Sequence, residues 1–384
     1  MAGKTVVVLG GGIGGLVAAR ELRSRLDSDD RVVLVDRTGR HLFTPSLLWV
    51  MEGSRRPESV VRDLGCLTRH GIEVVTAEAT VIDVDQRVVE TTAGHFFYDA
   101  LVIALGAELA PGAMPGFSDA ALTPYDLDVA ERTRDCIELF ADGRAVVMIS
   151  SLPYKCPAAP YETALLLDRA FRRRRVRGRV EIEIVTPEPQ PMPVAGPVMG
   201  EAVTQMLQAR GIAYRPNTAP TSIDPSQNKI RTEDGEDIPF DFLIGVPPHR
   251  PPEVIRTSGL ANEAGWLPVN RHSLTTEHEG VYAIGDIAAV TLPSGELLPK
   301  AGVFAERQAK AVARSIAASF GSGLPAVFDG EGSCFIEMGG GVAGYASGNF
   351  YAEPKPVVTL RSPGRRWHWF KVAFEKWWMW RWAR

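Results

Sequence analysis

The chain begins with a glycine-rich turn between a strand and a helix, which limits the folds open to it more than any other feature. Residues 5–9 are apolar and mostly β-branched, and they predict a short buried parallel strand. Gly10, Gly12 and Gly15 follow with the spacing G-x-G-x-x-G, and a helical pattern comes next. In that spacing the glycines permit a tight turn, close approach of a pyrophosphate and packing of helix on strand. The sequence therefore predicts a dinucleotide-binding α/β unit.

A second strand and an acidic residue complete this unit. Residues 31–35 predict the strand, and Asp36 ends it at the spacing expected for a carboxylate that accepts hydrogen bonds from a ribose. A glycine turn alone is a weak signal, because tight turns before helices are common. The order strand, turn, helix, strand and acid favours a phosphate site over a turn without a ligand.

Two later strand ends favour FAD as the dinucleotide. One predicted strand ends at Gly106 and another ends in Gly285-Asp286. The Asp286 carboxylate can accept from a ribityl hydroxyl, which NAD lacks, although the residue alone could equally cap the next segment. Lys300 and Gly302 stand before a further predicted helix, where a cation and a helix N-terminus suit the anionic pyrimidine end of a reduced flavin. The alternative for Lys300 is a solvated loop lysine.

A second unit repeats this outline without the phosphate glycines. A predicted strand at 145–149 leads into Ser-Leu-Pro-Tyr-Lys-Cys-Pro at 151–157, and a helix is predicted from near Pro160. Cβ atoms and two prolines would crowd a pyrophosphate here, so we expect weak or absent NADH binding. Cys156 precedes the helix N-terminus beside Lys155, which is expected to favour a thiolate; the alternative is a buried, inert thiol.

These patterns predict an α/β fold with two Rossmann-like dinucleotide-binding domains plus a C-terminal amphipathic membrane-binding segment. Proline-rich joints mark the crossovers between the domains. The predicted limits are 1–110 and 251–325 for a split FAD-binding domain, 111–250 for the inserted second domain, and 326–384 for the C-terminal region.

Charge and cysteine content narrow the function. A net charge of −4 over 384 residues argues against a nucleic-acid binder. Cys66, Cys136, Cys156 and Cys334 show no metal-ligand spacing, so no metal site is expected. No signal peptide precedes the first strand, and we expect a reducing compartment, where lasting disulfides tend to be catalytic. Cys66 and Cys136 are expected to pack in cores.

The last 24 residues, 361–384, are rich in aromatic and basic side chains. The run is too short and too charged to span a bilayer, and its composition favours the headgroup interface of a membrane. Packing against the protein or a second subunit is the alternative, and single-stranded nucleic acid is disfavoured by the acidic remainder. Helical spacing predicts one apolar stripe of Trp367, Phe370, Phe374, Trp378 and Trp382, with Trp369 and Trp380 on the other side.

Most of the chain resembles the two-dinucleotide-domain flavoproteins, and more closely sulfide:quinone oxidoreductases and the flavoprotein subunit of flavocytochrome c sulfide dehydrogenase. The resemblance rests on residues 156–162, the segment around Cys334, the Pro299-Lys300 loop and the aromatic tail. It implies that Cys156 and Cys334 flank the flavin on the face opposite the quinone. Spacing alone does not show that the two cysteines approach each other.

The resemblance also implies the chemistry. Hydrosulfide attacks a sulfur bridge between the two cysteines, the freed thiolate reduces the flavin, and the electrons pass to a quinone. Glu162 could move protons here, or could be an ordinary glutamate on a helix surface. Many relatives carry a third cysteine near positions 124–128, where this chain has none, so Cys136 either takes that part or long polysulfide products are in doubt.

The resulting expectation is an FAD enzyme, peripheral on the cytoplasmic face of a membrane, with sulfide and quinone as substrates. The alternatives are a type II NADH dehydrogenase, a sulfide dehydrogenase subunit that reduces a cytochrome, and a non-catalytic flavin-binding scaffold or sensor. The sequence leaves the oligomeric state open, a homo-oligomer included.

Overall fold

The structure is a computed structural model and describes residues 3–384. Its first part carries a buried parallel sheet and two small antiparallel additions. The elements are β1 (Thr5–Leu9), α1 (Ile13–Arg23), β2 (Arg31–Asp36), β3 (Arg40–Leu42), α2 (Leu47–Met51), β4 (Val61–Asp63), β5 (Glu73–Thr76), β6 (Ala79–Asp83), β7 (Val88–Thr91), β8 (Gly94–Phe97), β9 (Ala100–Ile103) and β10 (Glu108–Leu109).

The middle of the chain builds a second parallel sheet with its own helices. The elements are α3 (Phe117–Ala120), α4 (Leu127–Leu139), β11 (Gly143–Ile149), α5 (Ala159–Arg173), β12 (Val180–Val185), α6 (Pro197–Gln208), β13 (Ile212–Arg215), β14 (Pro220–Asp224), β15 (Lys229–Thr232), β16 (Asp237–Pro239), β17 (Phe242–Val246) and β18 (His249–Arg250).

The last part returns to the first sheet and then forms an antiparallel sheet and a terminal helix. The elements are α7 (Glu253–Thr257), β19 (Leu267–Pro268), β20 (Val281–Ala283), β21 (Ala288–Ala289), α8 (Gly302–Ser319), β22 (Glu331–Glu337), β23 (Ala343–Asn349), β24 (Val357–Gly364) and α9 (Arg365–Trp382). Short 3-10 helices lie at Thr44–Ser46, Pro57–Ser59, Leu64–His70, Pro111–Ala113, Arg177–Arg179, Pro193–Ala195 and Gly285–Ile287.

Two parallel sheets organise the molecule. The first has the order β20-β9-β1-β2-β5, and the second has the order β13-β12-β11-β17. The predicted α/β class is confirmed. The strands are continuous apolar runs because both sheet faces are covered, and Val6 to Leu9 of β1 are 0% exposed. β20 comes after the second sheet in the chain and pairs with β9, so the chain leaves the first sheet and later returns to it. The predicted domain limits stay a prediction.

The terminal helix α9 does not present the predicted stripe. Trp378 and Trp382 are buried, whereas Phe370 and Phe374 are exposed, so the expected stripe is divided between two faces and that prediction is wrong. Ion pairs set the orientation, since Lys371 contacts Glu162 and Glu375 contacts Arg55. The exposed face is aromatic: Trp369, Phe370, Phe374, Trp377 and Trp380. Within residues 3–384 no helix combines the length and the apolar character needed to cross a membrane.

Candidate active site

A cavity of about 620 Å³ connects the glycine turn of the first sheet to the loop before α5. It opens where the carboxyl ends of the parallel strands meet, as ligand sites in such sheets do. Of the predicted site residues, Gly15 and Cys334 do not line this cavity. The other predicted site residues line the cavity: Gly10, Gly12, Asp36, Gly106, Cys156, Glu162, Asp286, Lys300 and Gly302.

The glycine turn has the shape that a pyrophosphate requires. Gly10 has φ +98°, and a Cβ atom there would lie 2.5 Å from the carbonyl oxygen of Ala104. A Cβ atom on Gly15 would collide with the carbonyl oxygen of Gly10, so α1 can pack this closely only with glycine. A Cβ atom on Gly12 would meet no protein atom within 4 Å and would instead project into the cavity space. The turn therefore leaves room for a ligand and not for side chains.

Asp36 is fixed at the cavity wall by its own surroundings. Its carboxylate accepts hydrogen bonds from the backbone N–H of Gly11 at 2.8 Å and of Thr38 at 2.8 Å. His41 supports the same turn from beneath, because its Nδ1 donates to the carbonyl oxygen of Gly11 at 2.9 Å. Sequence reasoning missed His41, although a histidine just after the Asp36 strand is a weak signal for such support.

Charged groups gather at the other end of the cavity. Lys300 is 7% exposed, donates to the backbone oxygen of Asp286 and places its ammonium 3.5 Å from the centre of the Trp266 ring. Burial lowers the pKa of Lys300 to about 8, and the nearby Asp286 opposes that shift. Burial raises the pKa of Asp286 in spite of Lys155 and Lys300. Lys300 is thus not a solvated loop lysine.

Cys156 is held by backbone contacts from both halves of the molecule. Its φ is +57°, an unfavourable value for a residue other than glycine. Its N–H donates to the carbonyl oxygen of Lys300 at 2.7 Å, and Tyr125 Oη donates to its carbonyl oxygen at 3.4 Å. These contacts fix the loop of the second unit against the cofactor cavity of the first.

The expectation that Cys156 is held as a thiolate is wrong. Burial and the neighbouring Glu162 raise the pKa of the Cys156 thiol to about 12, and Lys371 only partly offsets this. Lys155 does not act as the expected partner, since its ammonium donates to the carbonyl oxygen of Ala107 at 3.3 Å. The uncharged forms of the sulfur, thiol or sulfur bridge, are therefore favoured.

Cys334 lies on β22 in the same buried region. Burial, followed by the charges of Cys156 and Glu162, raises the pKa of its thiol. The Cys334 Sγ donates to the carbonyl oxygen of Phe335 at 3.3 Å, and both cysteines are free thiols in the structure. The charge of Cys156 is thus felt at Cys334. Cys136 lies on α4, outside the wall of the cavity.

Glu162 is 4% exposed and belongs to a buried charge cluster. Its Oε1 accepts from the backbone N–H of Glu337 at 2.6 Å and from Lys371 Nζ at 3.3 Å. The Glu337 carboxylate lies 3.0 Å from Nδ1 of His368. Sequence reasoning missed Glu337, His368 and Lys371. The available signal was Lys371 and Glu375, two opposite charges four residues apart within an aromatic helix.

The second unit also carries an acidic residue after its second strand, and that residue is buried. Glu188 follows β12 and is 3% exposed. Its carboxylate accepts from Tyr154 Oη at 3.1 Å, from Thr186 Oγ1 at 3.3 Å and from Tyr161 Oη. All three hydroxyls donate to the same oxygen, Oε2, and the buried side chain does not line the cavity.

Comparisons with known proteins place the chain in a family. It belongs to the pyridine nucleotide-disulphide oxidoreductases, whose family model matches residues 4–147 and 162–309. The sulfide-quinone reductase of Aquifex aeolicus is 29% identical over 98% of this chain and 91% of its own length. The X-ray structure of the sulfide:quinone oxidoreductase from that organism superposes with a TM-score of 0.89 at 28% identity, covering 98% of this chain and 91% of the other. The predicted resemblance is confirmed.

A second group of relatives shares the architecture. The type II NADH:quinone oxidoreductase of Haemophilus influenzae is 25% identical over 83% of this chain and 81% of its own length.

The family and its sulfide:quinone oxidoreductase members are FAD-binding flavoproteins, so this chain is a flavoprotein oxidoreductase with FAD as its cofactor, as the motifs predicted. The residues that line the cavity fit FAD. The glycine turn and Asp36 would hold the pyrophosphate and ribose, and Asp286, Lys300 and Gly302 would hold the flavin end.

Proposed function

We propose that the protein oxidises sulfide at Cys156 and Cys334 and passes the electrons through FAD to a quinone. The observation that carries the proposal is a cavity whose wall includes both the dinucleotide cradle and Cys156, whose charge in turn raises the pKa of the Cys334 thiol. The similarity to sulfide-quinone reductase over nearly the whole chain supports the same substrates.

The proposed cycle alternates between a sulfur bridge and free sulfur groups. Hydrosulfide attacks the bridge, a new S–S bond forms on one cysteine, the old S–S bond breaks, and the other cysteine leaves as a thiolate. This thiolate then bonds to the persulfide sulfur, so that CysS–SH and CysS⁻ become CysS–S–SCys with loss of one proton and two electrons. FAD, when bound, would take up the two electrons together with that proton and would pass the electrons on to the quinone.

Burial gives this cycle its direction. Because the pKa of the Cys156 thiol is raised to about 12, a thiolate in this pocket is high in energy and reacts onward to an uncharged bridge. Glu162 lines the cavity and is the carboxylate placed to accept a proton there. Further hydrosulfide attack would release the sulfur as polysulfide.

The second candidate is a type II NADH:quinone oxidoreductase, favoured by the shared fold. Two features oppose it. The loop at 151–157 has no glycine, and the buried Glu188 carboxylate already accepts three internal hydroxyl donors on one of its oxygens. An NADH ribose would have to displace those contacts without a phosphate cradle to compensate, so we expect no saturable NADH binding.

We also propose that α9 rests on a membrane, on its cytoplasmic face. Its outward face carries Trp369, Phe370, Trp377 and Trp380, which are 63%, 64%, 44% and 60% exposed. Indoles and basic side chains favour the headgroup region, and contact with it would bring the cavity near a lipid-soluble quinone.

Anaerobic mixing with sulfide, followed by a soluble quinone, tests the catalytic proposal through the flavin absorbance. We expect sulfide to bleach the flavin and quinone to restore it, and Cys156→Ser or Cys334→Ser to abolish bleaching while Cys66→Ser and Cys136→Ser do not. Retained bleaching in both of the first two variants would remove the sulfur mechanism. Bleaching by NADH identifies the second candidate, and recovery with a cytochrome but not with quinone identifies a different acceptor.

The membrane proposal needs point variants, because removing α9 would also remove the buried Lys371 and Trp378. We expect the combined change of Trp369, Phe370, Trp377 and Trp380 to serine to abolish sedimentation with lipid vesicles and to preserve FAD content. A matched change of four exposed residues distant from α9 (Leu139, Leu297, Leu324 and Val327) should leave sedimentation intact. Undiminished vesicle binding by the first variant would place the membrane contact elsewhere.

A further inference from the structure

Buried charged groups lie in succession from the cavity wall to the surface. Lys371 Nζ contacts Glu162 at 3.3 Å, and the Glu337 backbone N–H contacts the same Glu162 oxygen at 2.6 Å. The Glu337 side chain then reaches His368 Nδ1, at 3.0 and 3.1 Å from its two oxygens. Glu162, Glu337 and Lys371 are 4%, 1% and 8% exposed, whereas the His368 side chain is 21% exposed. The inner end faces the cavity, and the outer end reaches solvent.

The cluster of Glu162, Glu337, Lys371 and His368 is electrically neutral when it holds one proton on either Glu337 or His368, in addition to the Lys371 ammonium. Burial opposes the charge on Lys371, but Glu162 and Glu337 outweigh it and raise the pKa of the lysine, so the ammonium persists. Two carboxylates face that single ammonium, and burial penalises the excess negative charge. The cluster becomes neutral when the proton sits either on Glu337 or on His368. Because both arrangements are neutral, the proton moves between them without creating a buried net charge.

The surroundings isolate this pair from other charges. Trp49 of α2 packs against both ends of the connection, with its ring centre 4.8 Å from Lys371 Nζ and 6.0 Å from the His368 ring. Arg55 lies on the Trp49 ring as well, but its charge is matched by Glu375 at 2.7 Å. Other titratable groups that face the cluster are the Cys156 and Cys334 thiols and the Tyr125 hydroxyl.

We propose that Glu337 and His368 are the outlet of a proton path that starts at Glu162 and serves the activation of sulfide. The proposal rests on the proposed function. Dihydrogen sulfide enters the cavity uncharged and gives one proton to Glu162, so that an S–H bond breaks and hydrosulfide remains as the attacking nucleophile. No electron moves in this step. The positive charge gained by the cluster is relieved when His368 gives its shared proton to water. The proton on Glu162 then passes to Glu337 through a movement of Lys371, which donates to Glu162 at 3.3 Å and acts on the Glu337 carboxylate through its charge.

Neither outlet residue touches the sulfur atoms, so both are positioning residues for proton transfer. A purely structural role predicts that a lost imidazole cannot be replaced by a diffusing base. A proton outlet predicts that it can, because the base only has to collect a proton at a solvent-accessible position.

The test uses the FAD-loaded enzyme in weak buffer at mildly acidic pH, where dihydrogen sulfide predominates. Anaerobic stopped-flow follows the flavin absorbance and a pH-indicator dye together. In the wild type, one proton should appear in solution for each flavin bleached. In His368→Ala both signals should slow roughly 10-fold to 100-fold. Added imidazole should restore the rate of flavin bleaching with saturation, and because imidazole also buffers the released protons, its effect is read from the flavin absorbance alone. Glu337→Gln should be slowed similarly and should not respond to imidazole.

The controls are Glu331→Gln, at the other end of β22, and His278→Ala, a distant histidine; both should match the wild type. FAD content, measured for every variant, shows that the fold is retained, and His368→Gln gives a conservative second variant. Two outcomes would contradict the proton outlet: wild-type rates in both His368→Ala and His368→Gln, or slow rates that imidazole does not restore. Neither outcome would contradict the proposed oxidation of sulfide. A wild-type enzyme that sulfide does not bleach overturns both proposals.

Discussion

The two parallel sheets follow one plan and differ at the turn that begins each of them. The β1–α1 turn is glycine, takes φ +98° at Gly10 and leaves open space beside Gly12. The β11–α5 turn has no glycine and ends in Cys156, whose backbone is bonded to Lys300 of the other unit. The first turn makes room for a dinucleotide, whereas the second fills that room and presents a sulfur atom.

The acids after the second strand of each sheet show the same divergence. Asp36 lines the cavity, and its oxygens accept hydrogen bonds from Gly11 and from the Thr38-Gly39 turn beside it. Glu188 is enclosed by hydroxyl donors from Tyr154, Tyr161 and Thr186. A dinucleotide fold therefore does not by itself predict a dinucleotide; the few side chains at the strand ends decide.

The largest effect should come from adding a charge to the open turn. A Cβ atom at position 12 would have no protein atom within 4 Å, so the fold should tolerate Gly12→Asp. The new carboxylate would face the pyrophosphate of FAD. Like-charge contact costs several kcal/mol, and we expect FAD affinity to fall by about 4 kcal/mol, roughly 1,000-fold. Titrating FAD into the FAD-free protein and following the fluorescence measures this change in affinity.

The matched change in the second turn is Leu152→Asp, at a side chain that is 50% exposed. It should leave FAD affinity and NADH behaviour unchanged. Equal losses of FAD affinity from both substitutions would mean that the two turns are not specialised as described.

A smaller effect is expected from opening the closed acid site. Glu188→Ala leaves the hydroxyls of Tyr154, Tyr161 and Thr186 without their buried acceptor. We expect the free energy of unfolding to fall by about 3 kcal/mol, because buried donors without partners are costly. Urea denaturation of the FAD-loaded protein measures the change.

The control is Glu181→Ala on the same strand, where the lost ion pair is largely exposed and its loss should cost under about 1 kcal/mol. Neither variant should bind NADH, because both still lack a glycine turn that could hold the phosphates. If Glu188→Ala acquires saturable NADH binding, the carboxylate and not the loop excludes the nucleotide.

The sequence was sufficient where the signal is local. The apolar runs of β1 and β2, the glycine spacing and the acid at Asp36 lie within the first 36 residues, and each depends on backbone geometry that neighbouring residues determine. For the same reason the absence of glycine before Cys156 could be recognised without coordinates.

The sequence was insufficient where partners are distant. Lys371 lies 209 residues from Glu162, and its contact there turns α9 so that Trp378 faces inward and Phe370 outward. Periodicity assigns apolar side chains to the buried face and has no means of including a paired lysine. The error over the Cys156 thiolate has the same origin, since the burial that raises its pKa is supplied by elements far along the chain.

The smallest of these effects concerns how each turn is supported. His41 Nδ1 donates to the carbonyl oxygen of Gly11, whereas Tyr125 Oη donates to that of Cys156. Burial lowers the pKa of His41 to about 4, below its ordinary 6.5, and its ring stacks on Trp378 at 5.0 Å. Among the described residues 3–384, nothing accepts a hydrogen bond from its Nε2, so protonation would leave a buried charge unpaired.

Since the unfolded chain takes up this proton at higher pH than the folded one, stability falls as the pH drops below about 6.5 and the loss is complete near pH 4. Between pH 7 and pH 5 the His41 contribution amounts to about 2 kcal/mol. His41→Asn keeps a donor for Gly11 and cannot titrate, so urea denaturation of the FAD-loaded variant should show a pH dependence weaker by that amount. Burial also lowers the pKa of His249, to about 3, so this residue adds to the pH dependence of stability. Because it is present in both proteins, its contribution cancels when the two are compared. Identical slopes in the two proteins would show that the first turn, like the second, rests on a support that does not titrate in this range.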